Sequence, residues 1–161
     1  MSSPVVVSIQ HKYAAPVGRV FDAWLNPQQA ARFFFATRTG NIMKCEMDPV
    51  VGGSFAITDR RPTADGDESI FLAEHRGTYL QIDRPRTIVF DFHVEPYYDA
   101  RTHVMLEFTP LGAQACEVAL THELGEGEMA HLMEDQTRRG WVTMLATLER
   151  ELFPRRVGVQ L

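Results

Sequence analysis

A series of strand-like segments that ends in one long helix-like segment is the feature that most constrains the fold of this chain. β-Branched and aromatic residues recur with a period of two, in runs that Gly, Pro and Asp separate. These runs predict strands at Val5–Tyr13, Ile42–Met47, Ser54–Thr58, Ile70–Ile82, Thr87–Val94, Thr102–Thr109 and Cys116–Glu123. Their short connections favour an antiparallel meander. The polar stretch Asp59–Glu68 predicts a solvated loop.

The last predicted element is a helix from about Met129 to Phe153. Its apolar residues recur at helical spacing and form one stripe, made of Met133, Trp141, Met144, Leu145, Leu148 and Leu152. Such a helix would be roughly 36 Å long, enough to cross a whole sheet. We therefore predict an α+β fold in which a curved antiparallel sheet of about seven strands wraps around this helix. Because the sheet need not touch the helix everywhere, we expect a ligand cavity between them.

Two short helices are predicted after the first strand. The first begins near Pro16, and its apolar face is Val17, Val20, Phe21 and Trp24. The second has Asn26 as its cap and Pro27 in its first turn, and its apolar side is Ala30, Ala31, Phe33 and Phe34. The whole chain, 1–161, is expected to be one domain with its core at about 5–153.

Composition and charge argue against several classes of protein. The net charge is −5 and no basic cluster exceeds an arginine pair, so we expect no nucleic-acid partner. No segment approaches the ~18 apolar residues of a membrane span, so we expect no membrane partner. The N-terminus does not look like a signal peptide, which favours a cytoplasmic location. Cys45 and Cys116 lack motif spacing and are expected to be reduced core thiols.

Several segments, taken in order, resemble a known superfamily. They are Pro16 with Val20-Phe21 and Ala23-Trp24, Asn26-Pro27, Glu46-Met47-Asp48-Pro49, Gly52-Gly53-Ser54-Phe55, Gly77–Pro85, Val118 with Leu120-Thr121-His122, and Gly140-Trp141. This set resembles the START-like helix-grip (SRPBCC) superfamily, and within it the bacterial relatives of the C-terminal domain of the heat-shock-chaperone ATPase activator. The resemblance implies a cavity in which superfamily members hold lipids, polyketides, hormones or aromatic compounds. A minority of superfamily members catalyse cyclisation or similar steps, so the resemblance also implies a possible enzyme. Fold alone does not determine which of these functions a member has.

The residues expected to line this cavity are mostly aromatic. They are Trp24, Phe33, Phe34, Phe55, Tyr79, Phe90, Phe92, Val104, Leu106, Leu120, His122, Trp141, Met144 and Leu145. The alternative is an ordinary core, since aromatic residues at strand and helix periods usually pack against one another. Both interpretations stay open for each residue taken alone.

His122 and Tyr79 are the two candidate catalytic residues. His122 lies on the same predicted face as Val118 and Leu120, where an imidazole could orient a ligand or transfer a proton. A histidine satisfied by a neighbour or by water is the alternative. The six histidines are scattered along the chain, so we predict neither a metal site nor a cofactor. Gly140, inside the long helix, predicts a close approach of the sheet or a ligand, or else a simple packing notch.

Three functions are compatible with these patterns. Binding of a small hydrophobic or aromatic molecule is the leading hypothesis. A cyclase- or hydrolase-like enzyme using the same cavity is the alternative, less favoured because few inward polar residues are predicted. A chaperone-interacting protein is the third, but the activator joins this type of domain to a separate N-terminal domain. Here the first strand begins near Val5, so we expect a shared fold rather than shared work. A homodimer is left open.

Overall fold

The structure of the protein is a computed structural model that describes residues 3–35, 41–62, 70–95 and 98–155. Within these residues the element order agrees with the order predicted from the sequence. The elements are β1 (Val5–Tyr13), α1 (Val17–Ala23), α2 (Pro27–Ala30), β2 (Asn41–Met47), β3 (Ser54–Pro62), β4 (Ile70–Asp83), β5 (Thr87–Glu95), β6 (Tyr98–Pro110), β7 (Cys116–Gly125) and α3 (Glu128–Leu152).

All the described strands belong to one antiparallel sheet with the order β1-β7-β6-β5-β4-β3-β2. From β2 to β7 each strand pairs with the next one in the sequence, and β1 pairs with β7. This confirms the predicted meander. Side chains alternate between the two faces of a strand. The register aligns Phe90 with Val104 and Val104 with His122. We call the face that carries these residues the inner face, and the opposite one the outer face.

α3 covers the inner face and packs against β1 and β7. Its buried side is formed by Ala130, Trp141, Leu145, Thr147 and Leu148. The Tyr13 hydroxyl of β1 donates a hydrogen bond of 2.8 Å to the Leu145 carbonyl and so ties the edge strand to the helix. Burying each large apolar side chain of this stripe contributes ~1.5–3 kcal/mol. In the described part of the chain, no helix is long and apolar enough to cross a membrane.

The loop predicted at Asp59–Glu68 is corrected at its start. β3 continues to Pro62, and Asp59 pairs with Ala73 of β4. Asp59 is fully buried, because it lies two residues after the buried Ile57 and therefore points to the same inner face. Strand alternation overrides the polar character of the segment here. Residues 63–68 of the predicted loop lie outside the described residues.

The second short helix begins as predicted and ends earlier. The Asn26 side chain accepts hydrogen bonds of 2.9 and 3.1 Å from two backbone N–H groups of the first turn, and Pro27 follows at the first helical position. Both confirm the predicted cap. α2 ends at Ala30. Phe33 and Phe34 therefore lie in the turn that follows, which frees them to point away from the axis of α2.

The close approach of the sheet predicted at Gly140 is wrong. A Cβ atom at this position would meet no atom of the described residues within 4 Å. Such an approach occurs at Gly77 of β4, where a Cβ would lie 2.5 Å from ring carbons of Phe55. Glycine at 77 therefore lets the Phe55 ring lie directly over the neighbouring strand.

Candidate functional site

The side chains predicted to line a cavity meet on the inner face. They come from the C-cap of α1, the turn after α2, strands β3 to β7, and α3. Twelve of the fourteen are buried, and the other two, Phe92 and Met144, are half-buried and pack around the same cluster. The fold thus brings together residues that are far apart in the sequence.

We call these inward-facing residues the inner aromatic cluster. Phe34 lies at its centre. Its ring centroid is 5.3 Å from that of Trp24, 5.5 Å from Phe55, 5.9 Å from Phe90 and 6.4 Å from Trp141. These spacings are typical of tilted and edge-to-face ring pairs. The aromatic run after α2 therefore projects between the sheet and α3 and connects α1 to both.

His122 is held by hydrogen bonds at both ring nitrogens. The Trp141 indole N–H donates to His122 Nδ1 at 2.9 Å, so Nδ1 accepts and the ring proton lies on Nε2. His122 Nε2 lies 2.7 Å from the Thr102 hydroxyl and donates to it. The Thr102 hydroxyl in turn donates to the Phe92 carbonyl at 3.2 Å. This relay runs in one direction from α3 to the backbone of β5 and satisfies each side-chain group in it.

Burial fixes the charge state of His122. Desolvation, together with the charge of His103, lowers the pKa of His122 from 6.5 to about 4. The ring is therefore neutral at pH 7, as its hydrogen bond from Trp141 requires. Proton transfer at His122 would first have to break one of its two hydrogen bonds.

Two other polar groups of the inner aromatic cluster are in a different situation. Tyr79 Oη and Trp24 Nε1 are buried, and neither has a hydrogen-bond partner among the described residues. Burial, with added effects of Cys45 and Asp48, raises the pKa of Tyr79, so its phenol stays protonated. Each group is thus a donor in apolar surroundings, where a missing partner costs ~1–3 kcal/mol. An acceptor atom of a bound molecule would remove this cost.

His75 and Thr102 are inner-face residues that sequence reasoning missed. His75 is buried on β4, and Thr102 is buried on β6 beside His122. Strand alternation was the available signal, because His75 is four residues before Tyr79 and Thr102 is two before Val104. Within the described residues, no three His, Cys, Asp or Glu side chains are grouped so that they could hold a metal ion.

A second concave region, which we call the outer groove, crosses strands β2 to β6 on the outer face. Its volume is about 400 Å³, and Lys44, Glu46, Ala56, Arg76, His93 and Arg101 are among the residues that line it. Ala56 forms a buried part of its floor, while Arg76 and Arg101 are exposed at its rim. The region is polar, in contrast to the inner aromatic cluster.

Ion pairs hold the charged side chains of the outer groove. Arg101 lies 3.1 Å from Asp91, and Arg76 lies 2.8 Å from Glu74. Asp91 has a second role, because its other carboxylate oxygen accepts the Thr78 backbone N–H at 2.9 Å. Cations and anions alternate here, so the groove has no single dominant charge.

The fold, a seven-stranded antiparallel sheet packed around one long helix, is shared with known proteins. The family described as "Activator of Hsp90 ATPase homolog 1-like protein" matches residues 14–152. The chain belongs to this family. The match confirms the resemblance drawn from the sequence, and it begins directly after β1 and runs from α1 to the end of α3. Every described helix and strand except β1 therefore lies within the family match.

Solved structures with the fold of this family member come from several organisms. A Chromobacterium violaceum protein is 20% identical with a TM-score of 0.74, over 94% of this chain and 100% of that one. A Mycobacterium smegmatis protein is 15% identical with a TM-score of 0.76, over 94% and 92%. An Hsp90 activator from Plasmodium falciparum is 20% identical with a TM-score of 0.69, over 94% and 99%. At such identities the similarity shows the fold alone. The search of curated proteins gave no match.

Proposed function

We propose that this family member binds a small hydrophobic or aromatic molecule between the inner face and α3. The observation that carries the proposal is the presence of two buried donors, Tyr79 Oη and Trp24 Nε1, without partners among the described residues. Ligand sites typically combine apolar walls with a few polar groups that fix orientation. The ligand we expect has an apolar body and at least one acceptor oxygen.

A ligand screen with one matched pair of variants tests this proposal. Fatty acids and aromatic polyketides are added to the purified protein, and the melting temperature and the native mass spectrum are recorded. Tyr79→Phe removes the unpartnered hydroxyl, and a hit with an acceptor oxygen should lose about tenfold in affinity. Tyr13→Phe is the control, because the Tyr13 hydroxyl already donates to Leu145.

The outcomes of this screen separate the alternatives. A panel in which no compound raises the melting temperature contradicts ligand binding. A hit that binds Tyr79→Phe as tightly as the wild type contradicts the role given to the hydroxyl. The same mass spectra report any homodimer, which the sequence left open.

Catalysis by the cyclase- or hydrolase-like alternative has less support. General acid–base chemistry needs polar groups that converge on a reacting atom. Both ring nitrogens of His122 are engaged in hydrogen bonds, and burial raises the pKa of Tyr79 and disfavours its phenolate. We therefore place binding before catalysis.

A chaperone partner is the second candidate function. The family description and the description of the Plasmodium falciparum neighbour both name Hsp90 activation. The outer groove supports this candidate, because exposed Arg76 and Arg101 at its rim could exchange their ion pairs for acidic groups of a partner. Stimulation of Hsp90 ATPase that is lost in the double variant Arg76→Ala, Arg101→Ala would support it. No stimulation by the wild-type protein would contradict it.

A further inference from the structure

Phe35 is an inner-face residue with an unusual backbone conformation. It lies in the turn after α2, with a φ of 57°, in the left-handed region that bulky residues rarely adopt. Its side chain is nevertheless 4% exposed. Its backbone N–H donates to Met144 Sδ at 3.1 Å, and sulfur is a weak acceptor. The backbone conformation is thus unfavourable and its hydrogen bond is weak, so the inward position of Phe35 must depend on the contacts of its ring.

The Phe35 ring lies flat on two other rings. Its centroid is 4.1 Å from that of His75 with an interplanar angle of 2°, and 4.9 Å from that of Phe92 with an angle of 8°. His75 and Phe92 are themselves parallel within 6°, with centroids 6.0 Å apart. They lie on neighbouring strands, β4 and β5, and we call this pair of parallel rings the platform.

The surroundings of the platform suit a flat ring. Trp141 lies beside Phe35 at 5.7 Å with an interplanar angle of 55°, and His122 packs against Phe92 at 5.7 Å and 65°. Rings stacked below and tilted at the side are favourable partners for a planar π-system. A saturated ring of the same size would keep the burial and lose the stacking.

We propose that the platform of His75 and Phe92 is the ring-binding position of the ligand site, and that Phe35 occupies it when no ligand is bound. The ligand class is a planar aromatic or heteroaromatic molecule of one or two fused rings, because the platform presents two parallel rings for stacking. The proposal rests on the ligand-binding function proposed above. A ligand must displace Phe35, and its apparent affinity is lowered by the fraction of molecules in which Phe35 is in place.

Removing the Phe35 ring should expose the platform and raise the affinity for planar rings. The probes are 2-naphthol and its saturated counterpart decahydro-2-naphthol, with dissociation constants from isothermal titration calorimetry. Phe35→Gly should bind 2-naphthol at least about tenfold more tightly than the wild type, with a much smaller gain for the saturated alcohol. Phe35→Asn is a second variant, since asparagine tolerates a positive φ. Adding Phe92→Leu, which keeps an apolar side chain without the flat ring, should abolish most of the gain.

The outcomes distinguish the platform from the function on which it rests. Equal gains for both alcohols, or no gain in folded Phe35→Gly and Phe35→Asn, overturn the platform. Wild-type binding of 2-naphthol that is unaffected by Phe35 and Phe92 variants also overturns it and leaves ligand binding intact. If neither the wild type nor the variants bind any compound of the wider panel, the platform and the proposed function both fail.

Discussion

The two faces of the sheet carry polar groups in opposite settings. On the inner face, His122 is 2% exposed and makes both of its hydrogen bonds inside an aromatic cluster. On the outer face, the Arg101 side chain is 60% exposed beside Asp91. Interactions between polar groups weaken as solvent access and screening increase. Removing a polar interaction should therefore lower the free energy of unfolding much on the inner face and little in the outer groove. The proposed ligand would gain most binding energy from hydrogen bonds on the inner face.

The largest effect should come from Trp141→Ala. This change removes a fully buried ring and the donor to His122, so the free energy of unfolding should fall by ~3–5 kcal/mol. Chemical denaturation monitored by circular dichroism measures it. Val142→Ala is the control, because Val142 is 50% exposed and should cost less than ~0.5 kcal/mol. A loss below ~2 kcal/mol for Trp141→Ala would mean that the ring borders empty space.

Lowering the pH should reduce the stability of the protein, because His122 is neutral in the folded state. Because its pKa is lowered to about 4 in the folded protein from 6.5, only the unfolded chain gains a proton between these values. The neutral, buried His122 therefore contributes its full stabilisation to the folded protein above pH 6.5. This contribution to the free energy of unfolding is lost as the pH falls towards 4, a total of ~3 kcal/mol. Unfolding measured from pH 7 to pH 4 should show a smaller pH dependence in His122→Leu. The exposed His103→Gln removes only the smaller of the two causes that lower the pKa of His122, so it should keep most of the pH dependence. An equal slope in His122→Leu and wild type would contradict the assignment.

The same substitution, tyrosine to phenylalanine, should affect stability differently at two positions of the inner face. Tyr13→Phe removes a hydroxyl that donates to Leu145 at 2.8 Å, and it should cost ~1 kcal/mol. Tyr79→Phe removes a buried hydroxyl that has no partner among the described residues, and it should leave stability unchanged or raise it by ~1 kcal/mol. Thermal unfolding in the absence of ligand measures both. A clear loss in Tyr79→Phe would show that its hydroxyl is satisfied.

The smallest effects should appear in the outer groove. Arg101→Ala breaks an exposed ion pair and should cost less than ~0.5 kcal/mol. Asp91→Ala also removes the acceptor of the Thr78 N–H and should cost about 1 kcal/mol. Denaturation at low and high salt separates the two, because salt weakens the ion pair. Equal losses for both variants would contradict the second role of Asp91.

Most of the fold could be predicted from local patterns. Strand alternation and the helical stripe are properties of neighbouring residues, so they gave the seven strands and α3 with bounds close to those observed. The loop at Asp59 was wrong because a carboxylate in a polar segment was read by its chemistry rather than by its position in the alternation. The approach of the sheet to Gly140 was wrong because glycine in a helix indicates only a low helix propensity, while the docking of α3 alone determines which residues lie nearby.

The burial of the candidate residues on the inner face could be predicted from the sequence, but the hydrogen bonds among them could not. Twelve of the fourteen residues predicted from their faces are buried in the structure. The hydrogen bonds from Trp141 to His122 and from His122 to Thr102 join α3, β7 and β6. They depend on strand register and on the rotation of α3 about its axis. Neither quantity is fixed by the period of a single segment.

The sequence by itself determined which residues turn inward, because burial of apolar surface dictates the alternation within each strand and helix. The tertiary structure alone decided what those residues do once inside. It gave His122 a neutral ring with two partners and left Tyr79 with none among the described residues. It also laid Phe35 flat on His75. Such relations are pairwise and directional, and they exist only after distant segments are packed together.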